Sequence, residues 1–371
     1  MNGVVLNSFK TWIEIDSKAI QNNIKIFKKI IGPKTKLWAV VKSNAYGHGL
    51  FDFSKTIDKF VEGFCVDSVI EGIKLRKIGI KKEILVFGPT LKENYSLAFK
   101  NDIAITISNF EALRDILKSK NKPKFHLKID TGMHRQGFYL NDLDQIIPFL
   151  KNLENEFRGV YTHFAMAQNL NFTENQFQNF KKVINFLKNS GFSNFISHCA
   201  ATGGTLLNKK YHLDAVRIGI GLYGYFPSKY FQKKLSAKFH LKPVLLWKTI
   251  ISEIKEIKKG EAVGYDLTWQ AKNNTKIAIL PIGYWHGYFR SLSNKGIVLI
   301  GKNKAKVIGR VCMDMIIINL NKIKAKIGDE VILIGQNKNN KILADFLANL
   351  AETTHYEFLT RINPLIYRII K

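Results

Sequence analysis

Short apolar runs alternate with amphipathic stretches through the first two-thirds of the chain. Each run is bounded by polar residues or glycine, a pattern typical of buried parallel strands. We predict strands at Leu37–Val41, Gly63–Val66, Ile84–Phe87, Ile103–Ile107, Phe125–Ile129, Gly159–Thr162, Phe195–Ser197 and Ala215–Ile218. Helical spacing fills most of the gaps, at 17–31, Val69–Ile78, Phe110–Lys118, Leu143–Asn152 and Thr173–Asn189. Eight strands alternating with helices favour a (β/α)8 TIM-type barrel, with a doubly wound open sheet as the alternative.

The pattern changes near Phe239, where strands separated by turn residues replace the alternation and predict an all-β domain. These strands are expected at Val244–Ile257, Thr275–Pro281, Gly296–Ile300, Lys304–Val311, Ile316–Leu320 and Glu330–Ile334, before a short helix at Ile342–Thr353. We therefore predict a barrel domain over residues 1–238 and a β domain over 239–371. An early strand at Trp12–Ile15 is a candidate partner for the β domain.

The bulk composition narrows the class of protein. The chain has 371 residues, 46% of them hydrophobic, which suits a large folded core. No apolar run approaches the roughly 18 residues of a membrane span. The first residues lack a basic region followed by an apolar core, so we expect no signal peptide. Cys65, Cys199 and Cys312 lack metal-ligand spacing. We therefore expect a cytoplasmic protein with no metal and no membrane partner.

The net charge of +28 raises the question of nucleic-acid binding. Only 9 of the 57 basic residues are arginine, the lysines are spread along the chain, and no basic block alternates with aromatic residues. We therefore expect no nucleic-acid partner. The positive field could instead attract an anionic cofactor or substrate.

The most distinctive candidate for chemistry is the segment Lys42–Gly49, which follows a predicted buried strand. Partial burial favours the neutral, nucleophilic amine of Lys42, which is what a Schiff-base lysine requires. Tyr46 offers a hydroxyl to the same pocket, and Gly47 and Gly49 allow the backbone to approach a ligand. An ordinary strand-end lysine before a glycine turn is the structural alternative.

Other polar residues also follow predicted strands, at the end of a barrel where catalytic residues lie. They are Asp130–Arg135, His163, His198 and the glycine-rich Arg217–Gly224. The backbone N–H groups of such a glycine-rich segment can hold a phosphate. Each of these residues alone could be structural, but their common position predicts a site.

The segment Val40–Gly49 resembles the pyridoxal 5′-phosphate (PLP) lysine motif of the alanine racemases. The resemblance extends over nearly the whole chain and implies a role for each matching residue. In the barrel, Lys42 would form the Schiff base and act as one catalytic base, with Tyr46 nearby. Arg135 would bind the substrate carboxylate. Lys128, which is carbamylated in many members, would hold Arg135 in place.

The resemblance also implies residues that bind the cofactor. His163 would pack on the cofactor ring, and Arg217 would face the ring nitrogen. Thr202, Gly219 and Ile220 would bind the cofactor phosphate.

The resemblance continues in the β domain. The segment Val263–Asp266 matches the one carrying the second base, which would be Tyr265, and His163 or Arg217 would activate that hydroxyl. Met313 would contact the substrate carboxylate, and Tyr356 would bind phosphate. Gln168 and His286 stand where many members have aspartate, near the entrance to the site.

The resemblance implies a PLP-dependent isomerase that interconverts L- and D-alanine for peptidoglycan synthesis. It also implies a homodimer with shared active sites, in which Tyr265 comes from the other subunit. The alternatives are a racemase of broader specificity, acting on serine or lysine, a related PLP decarboxylase, and a PLP-carrier protein. Carrier relatives are commonly the barrel alone, so the β domain with Tyr265 argues against the last.

Overall fold

The computed structural model describes residues 9–337 and 340–371. The described chain forms two compact units. The β unit holds the residues up to Ser17, Tyr46–Gly49 and Pro243–Lys371, and the barrel unit holds Lys18–Ala45 and Leu50–Lys242. The first strand, β1 (Thr11–Ile15), therefore lies in the β unit.

Eight short parallel strands form the barrel unit. They are β2 (Lys36–Val40), β3 (Gly63–Val66), β4 (Glu83–Val86), β5 (Ile105–Ile107), β6 (Phe125–Lys128), β7 (Phe157–Tyr161), β8 (Ile196–His198) and β9 (Ala215–Ile218). They pair in the orders β4-β3-β2-β9 and β5-β6-β7-β8. Parallel bridges from Leu85 to Ala104 and from Ala201 to Arg217 join the two sets into a ring. The predicted barrel is thus confirmed, and the open sheet is wrong because β2 pairs with β9.

The helices of this part of the chain lie between the strands, as a barrel requires. They span Ser17–Ile31, Leu50–Ile57, Val69–Lys77, Tyr95–Lys100, Phe110–Lys118, Leu143–Asn152, Leu170–Asn189, Thr202–Leu207 and Lys229–Leu235. The longest begins at Leu170 rather than the predicted Thr173, because the Asn169 side chain caps it by accepting from the N–H of Phe172. The unpredicted helices have eight residues or fewer, too short for a clear periodicity.

The β unit is built on one large, mainly antiparallel sheet. Its further strands are β10 (Leu245–Ile250), β11 (Glu253–Ile257), β12 (Thr275–Leu280), β13 (Ile297–Ile300), β14 (Asn303–Ile308), β15 (Ile316–Asn319), β16 (Glu330–Gln336), β17 (Lys341–Ile342) and β18 (Tyr367–Ile370). The order is β11-β12-β15-β14-β13-β16-β10-β1-β18, and β17 pairs with β16. The early strand β1 thus lies between β10 and the parallel β18.

Three features of the β unit differ from the prediction. The expected single run Val244–Ile257 is two strands, separated at Ile251 and Ser252. The expected helix Ile342–Thr353 is shorter, at Ala344–Leu350, and a second helix follows at His355–Thr360. The sequence also missed β18, whose parallel pairing with β1 joins residues more than 350 positions apart and leaves no local signal.

Candidate active site

Lys42 follows β2 directly, at the carboxyl end of the strand where a barrel carries its chemistry. Its side chain is 36% exposed, and its Nζ lies 3.2 Å from Oδ1 of Asp67. The side chain is thus partly buried and contacts a carboxylate, and the activation of its amine stays a prediction. Asp67 follows β3 and was not predicted from the sequence, although it too lies at the carboxyl end of a strand.

The residues after Lys42 form a left-handed turn. Ser43, Asn44, Ala45 and Tyr46 have φ angles of 55°, 56°, 51° and 52°, a conformation that costs each non-glycine residue about 1–2 kcal/mol. The Glu71 carboxylate accepts hydrogen bonds from the N–H groups of Ser43 and Asn44, at 2.7 and 3.4 Å. These contacts hold the strained turn against relaxation, as is common at functional sites.

The two glycines of this segment lie close to other parts of the β unit, and their predicted approach to a ligand stays a prediction. A Cβ on Gly47 would lie 2.0 Å from the carbonyl oxygen of Leu359, and one on Gly49 would lie 2.7 Å from the Arg368 side chain. Arg368 also donates to the Gly47 carbonyl, from Nε at 3.0 Å and Nη2 at 2.8 Å. The glycines therefore make room for the C-terminal segment of the β unit.

Arg217 lies in β9 and is 2% exposed. Its Nη1 donates to Nδ1 of His198 at 2.6 Å, and its Nη2 donates to the carbonyls of Thr162 and Cys199 at 2.8 and 3.1 Å. Nη2 also lies 3.4 Å from Nδ1 of His163. Burial, followed by the charge of Arg217, lowers the pKa values of both histidines well below their usual range. The structure thus brings Arg217 and His163 together.

Lys128, at the end of β6, is a buried amine. Its Nζ lies 4.7 Å from the centre of the Tyr161 ring. Burial and the charges of Arg217 and Arg135 lower the pKa of Lys128 well below its usual value, against the opposing influence of Asp130. A neutral amine of this kind is the form that can be carbamylated. The family role proposed for Lys128 is therefore chemically compatible with its site.

The loop after β6 is shaped by Asp130. Its Oδ1 accepts from the N–H groups of Gly132 and Met133, both at 2.9 Å, and its Oδ2 accepts from the Arg135 N–H at 3.0 Å. Burial raises the pKa of Asp130, but these backbone donors outweigh burial and lower it overall. The ionised carboxylate organises the loop, while Arg135 itself is exposed.

The proposed phosphate-binding residues also lie close together in the barrel. Thr202 begins the helix after β8, and its Oγ1 accepts from the N–H of Gly221 at 3.3 Å. Gly219 and Ile220, just after β9, are buried. A Cβ on Gly221 would lie 2.9 Å from the Thr202 methyl group and 2.4 Å from the Phe27 ring. This glycine was singled out only as part of a motif, and the packing explains it.

The remaining predicted site residues belong to the β unit. The Tyr46 and Tyr356 rings lie 6.2 Å apart, centre to centre, and burial followed by Tyr46 raises the pKa of Tyr356. Tyr265 begins a short turn and is 69% exposed, and Met313 is 55% exposed. The structure thus brings Tyr46 and Tyr356 together and places the proposed second base at the surface of its unit.

The two positions that depart from the family pattern are both hydrogen-bonded. Oε1 of Gln168 accepts from the Ser228 hydroxyl at 2.6 Å. His286 is buried, its Nδ1 accepts from the Gly283 N–H at 3.2 Å, and Asp314 lies 3.9 Å away. Burial and Lys10 lower the pKa of His286. Each residue thus has a local structural role in addition to any influence on substrate entry.

The barrel, the β unit and a lysine at a strand end together define a class of two-domain barrel enzymes. Residues 15–227 match the family model for the N-terminal domain of alanine racemase, and residues 244–370 match that for its C-terminal domain. An alanine racemase of Leptospira interrogans is 36% identical, with 98% of this chain and 96% of the relative covered. One of Listeria monocytogenes is 38% identical, with 96% and 97% covered.

Solved structures agree with the family models. The crystal structure of alanine racemase from Bacillus anthracis, with bound L-Ala-P, superimposes with a TM-score of 0.91 at 33% identity, over 98% of this chain and 95% of that one. The Enterococcus faecalis structure has a TM-score of 0.90 at 29% identity, over 100% of both chains. The chain belongs to the alanine racemase family, a family of isomerases.

The described residues contain neither a membrane-spanning helix nor a metal-binding cluster. Between residues 9 and 371, apart from 338 and 339, no helix has the length and apolar character needed to cross a bilayer. The same residues contain no group of three histidine, cysteine or acidic side chains arranged to hold a metal ion.

Proposed function

We propose that this protein interconverts L- and D-alanine with PLP as its cofactor. The observation that carries the proposal is the arrangement around Arg217. A buried guanidinium contacts a neutral histidine in the same barrel that places Lys42 at a strand end. When bound, PLP withdraws electrons from the substrate α-carbon and makes its proton removable. The product D-alanine would serve peptidoglycan synthesis in the cytoplasm.

The chemistry of the residues present suits the cofactor. In the barrel unit, the Thr202 hydroxyl and the backbone after β9 would hold the phosphate. In the β unit, Tyr356 would also bind phosphate, and the neighbouring Tyr46 would contact the cofactor. Lys42 would hold the cofactor covalently. Arg217 would face the ring nitrogen, and because a guanidinium keeps its protons, it would leave that nitrogen unprotonated.

Racemisation requires a proton acceptor on each face of the substrate α-carbon. We assign Lys42 to the D face and Tyr265 to the L face. A tyrosine with a pKa near 10 needs a positive environment to act as a base. Arg217 is the proposed source of that environment, and the neutral His163 would pass on its influence by hydrogen bonding. Arg135 and the Met313 backbone would bind the substrate carboxylate. If Lys128 is carbamylated, the modified side chain would hold Arg135 in place.

We further propose a homodimer in which Tyr265 acts in the partner's active site. The β unit exposes large apolar side chains on connected loops, namely Tyr265, Leu267, Tyr284, Trp285, Met313 and Met315. The N–H groups of Tyr284 and Trp285 donate to the carbonyls of Cys312 and Met313, both at 3.0 Å, and Arg310 donates to Asp266 at 3.1 Å. A second copy would cover this patch, as large exposed patches usually indicate.

The test is racemisation and α-proton exchange in ²H₂O, followed by NMR and chiral chromatography. The wild type should racemise alanine and label both enantiomers. Lys42→Ala should lose the visible absorbance of the bound cofactor and both reactions. Tyr265→Phe should still exchange the α-proton of D-alanine, because Lys42 remains, but not that of L-alanine.

Two results would count against the assignments. A Lys42→Ala protein that keeps the cofactor covalently bound would exclude Lys42 as the cofactor lysine. Exchange of L-alanine by Tyr265→Phe at the wild-type rate would exclude Tyr265 as the second base. Serine and lysine, assayed beside alanine, give the substrate preference.

A further inference from the structure

A chain of hydrogen bonds runs through the barrel interior from Arg217 to the opposite end of the barrel. Nη1 of Arg217 contacts Nδ1 of His198 at 2.6 Å, and Nε2 of His198 contacts Nδ1 of His126 at 3.0 Å. Nε2 of His126 then contacts Oε1 of Glu83 at 3.2 Å. Glu83 is the first residue of β4, and it borders a cavity at the amino-terminal ends of the strands. We call these four residues the relay.

The donors and acceptors of the relay follow from Arg217. A guanidinium can only donate, so Nδ1 of His198 must accept and its proton must be on Nε2. That proton is donated to Nδ1 of His126, so the His126 proton must also be on Nε2. It is donated in turn to Glu83, whose ionised carboxylate can only accept. Both rings are therefore neutral Nε2–H tautomers, and all four ring nitrogens have a partner.

Glu83 is suited to end this chain. Burial raises its pKa, but the hydrogen bond from His126 and the charges of Lys36 and Lys124 outweigh burial and lower it overall. The carboxylate is thus ionised near neutral pH. Its side chain is 31% exposed, while the His126 side chain is fully buried.

The barrel interior is shaped around the two imidazoles. The His198 ring stacks on Tyr161 at 4.8 Å with an interplanar angle of 4°, and Trp38 packs edge-on against both rings. A Cβ on Gly159 would lie 2.3 Å from Nδ1 of His126, and one on Gly63 would lie 2.7 Å from the Trp38 ring. These glycines of β3 and β7 leave the space that large side chains of neighbouring strands occupy.

The relay also compensates a buried charge. The acceptors around the Arg217 guanidinium are two backbone carbonyls and two imidazole nitrogens, all of them neutral. Buried charges are usually paired with an opposite charge. Glu83 polarises His126, which makes its Nδ1 a better acceptor, and the same effect passes through His198 to Arg217. The bonds of a hydrogen-bonded chain strengthen one another cooperatively in this way. A carboxylate that accepts from a metal-bound histidine raises the basicity of that histidine by the same effect.

We propose that Glu83, acting through His126 and His198, is a positioning residue that fixes the hydrogen-bonding direction and place of Arg217. The effect of Glu83 on catalysis rests on the proposed function, in which Arg217 faces the cofactor ring. The existence of the relay does not rest on that function, because the ring tautomers can be measured whatever reaction the protein catalyses.

The first experiment reads the tautomers. Protein labelled with ¹⁵N in its histidines is examined as purified, at pH 7, by long-range ¹H–¹⁵N NMR, and single His→Gln substitutions assign the signals. Both His126 and His198 should show a protonated Nε2 and an unprotonated Nδ1. A proton on Nδ1 of either ring, or an imidazolium at either position, would overturn the relay.

The second experiment tests the role of Glu83 by comparing Glu83→Leu with Glu83→Gln, which keeps an acceptor oxygen. Glu154 borders the same cavity but is outside the relay, so Glu154→Leu is the matched control. Glu83→Leu should shift the Nε2–H signal of His198, although Glu83 contacts only His126 of the relay directly. Its kcat should fall about tenfold, the low end for loss of an outer-shell partner. KM should change little, because Arg217 would face the cofactor rather than the substrate.

Glu83→Gln should stay within about threefold of the wild-type kcat, since the acceptor remains, and Glu154→Leu should match the wild type. A Glu83→Leu protein with an unchanged His198 signal and unchanged kcat would overturn the positioning role. Equal losses in both Glu83 variants would overturn it as well, because the acceptor would then not be the cause. If Glu83→Leu does not fold, the tautomers of the wild type still test the relay, and the kcat of Glu83→Gln still tests the positioning role of Glu83. A protein with the predicted tautomers and no alanine racemisation would refute the proposed function alone.

Discussion

His163 and His198 are held neutral by their surroundings rather than by an acidic partner. Both lie against Arg217 in the barrel, and burial is the largest cause of their lowered pKa values. A neutral imidazole can accept from the guanidinium, whereas an imidazolium would repel it. The same reasoning applies to Lys128, whose pKa is lowered by burial and then by the charges of Arg217 and Arg135. The positive charge beside the two histidines is therefore that of Arg217.

A pH dependence of stability follows at the residue scale. Because the folded-state pKa of each histidine lies below its unfolded value near 6.5, the unfolded chain binds more protons as the pH falls through 6.5. The free energy of unfolding should therefore decrease between pH 7 and pH 5, by about 2 kcal/mol for each of the two histidines. Urea denaturation at several pH values measures this change.

A His163→Asn variant provides the comparison. It lacks one of the two histidines, so the decrease should be smaller than that of the wild type by about 2 kcal/mol. Carboxylates with lowered pKa values, such as Asp130, lose their contribution only at lower pH. A variant with the same pH dependence as the wild type would show that His163 is not held neutral by the fold.

At the scale of elements, the motif after β2 depends on a distant part of the chain. The left-handed turn is stabilised by Glu71 in the barrel unit, and Gly47 packs against the helix His355–Thr360 in the β unit. The predicted motif was thus identified from local sequence. The reason for its glycines lies more than 300 residues away and could not be seen there.

Substituting Gly47 tests this explanation, with Gly79 as a matched control. Both have positive φ angles, 83° and 91°, but a Cβ on Gly79 has no atom within 4 Å. Gly79→Ala should cost only the backbone strain, about 1–2 kcal/mol. Gly47→Ala should cost about 2–5 kcal/mol, because overpacking against Leu359 is added. If chemical denaturation showed the same loss of unfolding free energy for both variants, the close approach of Gly47 to Leu359 would not contribute to stability.

At the scale of the whole molecule, the two proposed bases lie on different units. Lys42 belongs to the barrel unit and Tyr265 to the β unit. Tyr265 and its neighbour Leu267 are about 70% exposed, which is unusual for large apolar side chains unless a partner covers them. The proposed dimer accounts for this exposure and for the position of the second base.

Mixing two inactive variants tests the shared site. Lys42→Ala and Tyr265→Phe subunits, unfolded together and refolded, should form hybrid dimers with one intact site and one doubly defective site. If subunits assort randomly, about one quarter of all sites become intact. Alanine racemisation should therefore recover toward one quarter of the wild-type activity. Each variant refolded alone is the control, and no recovery in the mixture would place both bases in one chain.

The sequence by itself determined the barrel, the change to β structure and most of the strands, because a buried strand and an amphipathic helix each leave a local hydrophobic period. It also singled out Lys42, His163 and Arg217 as candidate site residues, since residues at strand ends in a barrel share one face.

Only the tertiary structure decided which groups touch. Asp67 beside Lys42, β18 beside β1, and Glu83 at the end of the relay depend on pairs far apart in the chain. Hydrogen-bond direction and burial depend on neighbours in space, and a one-dimensional pattern does not record them. The surroundings of Lys42 have this cause, because its partial burial and its carboxylate partner are both set by the folded barrel.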